Sequence, residues 1–179
     1  MDMEWDARGF YQELDSAYRQ GLERTEMFLL KSREEFQTAG NAAGLVAVHN
    51  ELGSFYRGTS RYTESLTAFQ LAGEEIIRRL GMDCAEYATL LNNMAGTYRL
   101  MGSPKEAAEL FQQAIDIYRD QGAEDSYAFI SVLNNISLAY QELGRLEEAA
   151  VYLEQALTKL RRIPGHLHEA AVTYHNLTA

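Results

Sequence analysis

Leu52-Gly53-Ser54-Phe55-Tyr56, Met94-Ala95-Gly96-Thr97-Tyr98 and Ile136-Ser137-Leu138-Ala139-Tyr140 superpose without gaps, each 42 residues after the last. The register holds downstream. Tyr62, Pro104 and Leu146 correspond, as do Ser65, Ala107 and Ala149, then Phe69, Phe111 and Leu153, then Ala72, Ala114 and Ala156. Small and large positions recur at steps of three and four, the period of one helix face. Small residues let two helices approach, and the large ones fill the space between them. Self-similarity at a fixed period of this length is the signature of stacked repeats.

Turns fall where helical hairpins need them. Gly58 with Thr59 and Ser60, Gly102-Ser103, and Gly144 separate the two helices of a unit, while Gly81, Gly122 and Gly165 separate the units. Glycine supplies the positive φ that ends a helix. Ser103-Pro104-Lys105-Glu106 reads as a capping box with proline at the first helical position. Asp83-Cys84-Ala85-Glu86 has the same spacing, as Asp-x-x-Glu, at the start of a unit. Leu22, Thr25, Leu29 and Ser32 form a weaker N-terminal copy of Tyr62, Ser65, Phe69 and Ala72, with a hairpin turn two residues shorter. The pattern predicts nine helices, over 3–19, 22–38, 41–57, 61–80, 84–101, 104–121, 125–143, 146–162 and 167–178. No period-two alternation competes, so the expected class is all-α.

Composition narrows the function classes. The chain has 179 residues, 46% of them hydrophobic and 23% charged, an ordinary globular balance. A net charge of −10 opposes a phosphate backbone, so no nucleic-acid partner is expected. No apolar run is long enough to span a membrane, and the acidic start Met1-Asp2-Met3-Glu4-Trp5-Asp6 has no signal-peptide core. One cysteine, Cys84, fits a reducing cytoplasm. His166, His168, Glu169 and His175 lack metal-ligand spacing, and no nucleophile elbow or P-loop is present. No metal, cofactor or enzymatic activity is expected.

Leu52-Gly53-x-x-Tyr56 followed by Phe69-x-x-Ala72, and more fully Ala107-x-x-x-Phe111-x-x-Ala114, resemble the tetratricopeptide repeat. The 42-residue period, with Leu91-Asn92-Asn93 and Leu133-Asn134-Asn135, is similar to the longer repeats of kinesin light chains. The resemblance implies a right-handed superhelix of antiparallel hairpins. It makes one domain over 1–179, with units at about 1–40, 41–82, 83–124 and 125–165 and a partial unit at 166–179. It also implies that first helices line a concave groove for a peptide or a protein surface. Carried across, the groove positions are Ala47, Asn50, Ser54 and Arg57, then Thr89, Asn92, Gly96 and Arg99, then Ser131, Asn134, Leu138 and Gln141.

Two ladders stand out. Asn50, Asn92 and Asn134 offer a donor and an acceptor to a peptide backbone. Arg19, Arg57 and Arg99 offer guanidinium groups to an anionic ligand group. The same asparagines can instead bridge neighbouring helices, and the arginines can pair with local acids. Ala47, Thr89 and Ser131, or Glu51, Asn93 and Asn135, stand where chaperone-binding members of the family carry a carboxylate clamp, so that subtype is disfavoured. A second function class is self-association through the apolar C-terminal half-unit, with Tyr174 and Leu177 as contact residues of a homodimer. A third is a sensory segment of a larger regulator.

Overall fold

The computed structural model describes residues 5–161. All regular structure among them is helical: α1 (Ala7–Gln20), α2 (Leu22–Ala39), α3 (Ala42–Gly58), α4 (Tyr62–Leu80), α5 (Ala85–Leu100), α6 (Pro104–Asp120), α7 (Tyr127–Glu142) and α8 (Leu146–Leu160). These match the first eight expected helices to within two residues at every end but the start of α1. The ninth, with Pro164, Gly165, Tyr174 and Leu177, lies outside the described residues. The chain divides into two compact units, Met1–Gly81 and Met82–Ala179.

In each unit the repeat positions form the core. Phe69, Phe111 and Leu153 are fully buried, as are Ala72, Ala114 and Ala156. Within the first unit, Gly53 of α3 lies flat against the Phe69 ring of α4, where an added Cβ would stand 2.5 Å from ring carbons. The closeness of the two helices also lets the Ser65 hydroxyl donate to the Gly53 carbonyl at 2.7 Å. Phe10 and Leu14 of α1 join Val48, Leu52 and Phe55 of α3 in the same cluster. Thr25, Leu29 and Ser32 are buried, so the weaker N-terminal copy packs as its stronger relatives do. In the second unit Phe111, Ile115 and Tyr118 of α6 pack with Leu91 of α5 and with Ile130 and Leu133 of α7.

Three of the four hairpin turns follow one template. Arg61, Ser103 and Arg145 each donate a backbone N–H to the carbonyl five residues back, on Tyr56, Tyr98 and Tyr140 respectively. This six-to-one bond closes a helix end and needs a left-handed residue just before it. Gly102 (φ 78°) and Gly144 (φ 72°) fill that position in the second unit. In the first unit the left-handed residue is Ser60 (φ 61°), not Gly58, which completes α3. Residue type favours the glycine at 58, but the repeat register aligns 60 with 102 and 144.

Two expected caps are absent. Ser103 is the N-cap residue of α6 and Pro104 its first helical residue, yet the serine side chain makes no capping hydrogen bond. The backbone N–H of Ser103 is already fixed by the turn, which sets the residue's orientation. Helix α5 begins after Cys84, so Asp83 lies one residue outside the cap. Side-chain caps that do form are Asp6 to Gly9 N, Asn41 to Gly44 N and Ser126 to Phe129 N.

Ser60→Gly removes the steric cost of a side chain in the left-handed region, and raises unfolding free energy by about 1 kcal/mol. A urea titration checks this. Phe111→Ala opens a cavity beneath α5 and α7 and lowers stability by roughly 3–5 kcal/mol; an unchanged unfolding midpoint would contradict the assigned helix faces.

Candidate functional site

The groove positions lie on α3, α5 and α7. In the first unit Asn50, Ser54 and Arg57 are half-buried on α3. The Arg57 guanidinium stands 6.0 Å from the centre of the Phe69 ring, and burial pushes its pKa below the usual value. Arg19, the first rung of the arginine ladder, ends α1 and is exposed.

In the second unit α5 and α7 lie side by side, and polar groups join them. Asn135 Nδ2 donates to Asn92 Oδ1 at 2.9 Å. Arg99 Nη1 donates to Glu142 Oε1 at 2.5 Å. Thr89 shares a 2.6 Å hydrogen bond with the Tyr118 hydroxyl of α6. Ser131 and Gln141 are half-buried on α7. Asn134 is half-buried too, and its Oδ1 is a buried acceptor with no hydrogen-bond partner among the described residues. The structure thus brings Asn92 to Asn135, and Arg99 to Glu142. Sequence reasoning singled out neither Asn135 nor Glu142 as a bridge. Each stands 43 residues after its partner, one more than the repeat, and that offset was the available signal.

The first helices carry acids as well as cations. Glu142 is exposed, and Glu51 on α3 is half-buried with its carboxyl held above the usual range by burial. Among the described residues no three His, Cys, Asp or Glu side chains converge as a metal site, and no helix is long and apolar enough to cross a membrane.

Family models described as tetratricopeptide repeat match residues 44–120 and 129–166. Among solved structures, BtubC (BKLC) from P. vanneervenii superposes with a TM-score of 0.81 at 20% identity, covering 94% of this chain and 68% of that one. The kinesin light chain TPR-like repeats of Podosopora anserina give 0.75 at 17% identity, covering 98% and 86%. The N-terminal domain of stress-induced protein-1 (STI-1) from C. elegans gives 0.54 at 15% identity, covering 75% and 98%. No curated protein matches the sequence. The likeness to these structures is one of fold.

His49 departs from the repeat. Leu91 and Leu133 occupy its position in the later units, and that substitution was the sequence signal for it. The imidazole is 8% exposed, and its Nδ1 has no hydrogen-bond partner among the described residues. Burial, reinforced by the charge of Arg33 and opposed by Glu75, pushes its pKa below 6.5. A depressed folded-state pKa means that the unfolded chain takes up the proton first. The contribution of His49 to stability is therefore complete above 6.5 and is lost as pH falls through the folded-state pKa. His49→Leu removes the unmet polar atom, raising stability at neutral pH by about 1 kcal/mol. It also flattens the acid-side loss relative to the parent chain. Melting curves of both proteins across that pH window check the difference, in which the contributions of other groups cancel.

Proposed function

Because the chain belongs to the tetratricopeptide repeat family, whose repeats generally mediate protein–protein interactions, we propose that it is a non-catalytic module binding a peptide segment or protein surface on its first helices. The observation that carries this reading is the α5–α7 face of the second unit. Thr89, Asn92, Arg99, Ser131, Asn134 and Gln141 place amides, hydroxyls and a guanidinium on two adjacent helices. An extended peptide presents alternating donors and acceptors, and an amide side chain can answer either. A half-turn of the Asn134 amide exchanges its oxygen and nitrogen, so an acceptor unmet inside can be offered outward.

Asn50, Ser54 and Arg57 play the corresponding part on α3 in this reading. The arginines favour a carboxylate on the ligand, and such a group would compete with Glu142 for Arg99. The net charge of −10 argues against a nucleic-acid partner, and the lone Cys84 is compatible with a cytoplasmic setting.

Selection from a displayed library of random short peptides, followed by calorimetry on the full chain, tests the reading. Replacing Asn92, Asn134 and Arg99 together with alanine is expected to weaken a selected peptide on the order of a hundredfold. Undiminished binding by the triple variant sinks the assignment of the face.

A further inference from the structure

The tyrosine that closes a hairpin is used in the same way twice, at Tyr56 and Tyr140, whereas in the α5–α6 hairpin Tyr98 is followed by Ser103 and not by an arginine. Tyr56 lies under the Arg61 guanidinium, 4.2 Å from the ring centre, and Arg61 is held by Glu26 at 2.6 Å and Glu64 at 2.8 Å. Tyr140 lies under Arg145 at 4.5 Å, and Arg145 is held by Glu148. Each arginine is the N-cap residue of the helix that follows, α4 or α8. The chain therefore builds the same three-part unit twice: ring, guanidinium and carboxylate.

In the first hairpin this unit is incomplete. Tyr18 holds the tyrosine position, but the N-cap residue of α2 is Gly21, with no side chain to lay over the ring. Tyr18 is accordingly 43% exposed, against 9% for Tyr56. Tyr11, seven residues earlier and on the same face of α1, is 44% exposed. The carboxylate is present. Glu51 of α3 is half-buried beside Leu52, which shares a buried cluster with Phe10 and Leu14 of α1. Burial, and after it the charge of Glu51, pushes the pKa values of both phenols up. Among the described residues the Glu51 carboxylate makes no hydrogen bond or ion pair, and burial alone raises its own pKa. The later repeats hold Asn93 and Asn135 at its position, whereas α1, aligned on Tyr18, holds the exposed Glu13, so acids stand at this position only on α1 and α3.

We propose that Tyr11, Tyr18 and Glu51 form a receptor for one arginine side chain of a protein partner. A partly buried, unpaired carboxylate is costly and gains most from a cation that brings its own hydrogen bonds. Two exposed aromatic rings supply the faces on which a cation is attracted. Guanidinium fits better than ammonium because it is planar, stacks on rings and is more weakly hydrated. The chain's own Arg61 and Arg145 satisfy the same chemistry from within. The inference deepens the reading of the chain as a protein-binding module, but it stands on α1 and α3 only.

The test is a titration of the full chain with N-acetyl-argininamide, followed by NMR on the Tyr11 and Tyr18 ring signals at fixed ionic strength. N-acetyl-lysinamide and the neutral N-acetyl-norleucinamide serve as comparisons. Saturable shifts with the arginine compound, and roughly tenfold weaker binding in Glu51→Gln, are expected. Tyr11→Leu, at an exposed ring, is a second variant expected to weaken binding likewise. Equal shifts with norleucine, no shift with arginine, tighter binding of lysine, or undiminished binding in both variants overturns the proposal. None of these outcomes depends on the peptide selection, so the receptor and the α5–α7 face can fail separately.

Discussion

The α3–α4 hairpin depends on a ring lying where a side chain is missing. Phe69 covers Gly53 so closely that a single methyl group has no room. At the corresponding pairs the second unit holds Ala95 with Phe111, and Ser137 with Leu153. As the large partner shrinks from phenylalanine to leucine, the small one grows from glycine to serine. Ser137 with Leu153 trades volume in this way, whereas Ala95 adds a methyl group with no loss at Phe111. The short helix–helix distance in the first unit then permits the Ser65–Gly53 hydrogen bond, which ties a second-helix side chain to a first-helix carbonyl.

That approach distance works only if the two helices are joined in one register, and the turns supply it. A six-to-one bond to the closing tyrosine's carbonyl fixes the chain at 61, 103 and 145. The residue before it must be left-handed, a condition that glycine meets without steric cost and Ser60 does not. Because the turn fixes the following N-cap residue, that residue's side chain does not need to cap. Ser103 therefore makes no capping bond, and Arg61 and Arg145 are tolerated where serine or aspartate is usual.

The helices and their buried faces were legible because periodicity reports burial directly. Phe69, Phe111 and Leu153 needed no more than the repeat to be placed in the core. Local details were less legible. The left-handed turn position is Ser60 and not Gly58, because register and not residue type sets it, and Asp83 stands outside the cap, because spacing alone does not say where the first helical residue falls. The polar face was only partly readable. Asn92 and Arg99 were visible as rungs, but Asn135 and Glu142 reach them from a neighbouring helix, and a single-chain pattern does not encode side-chain reach.

A repeat separates what the fold needs from what it does not. Residues that recur at every unit are accounted for by packing and turns, so a departure from them calls for another cause. His49 stands where Leu91 and Leu133 pack in the second unit, and Glu51 where Asn93 and Asn135 stand there. Both are buried or half-buried titratable groups on one helix. Gly21 is the third departure. A guanidinium at a helix N-terminus faces the positive end of the macrodipole, so Arg61 and Arg145 need the ring and the first-turn carboxylate that hold them. Once the shorter first turn puts glycine at that position, α2 starts without such a cation and the tyrosine face is left open. Losing two residues from a turn thus does more than shorten a loop. It leaves a ring without an internal cation, while the charge of Glu51 on α3 reaches the Tyr18 phenol. The first unit keeps the architecture of the others and differs from them in its electrostatics.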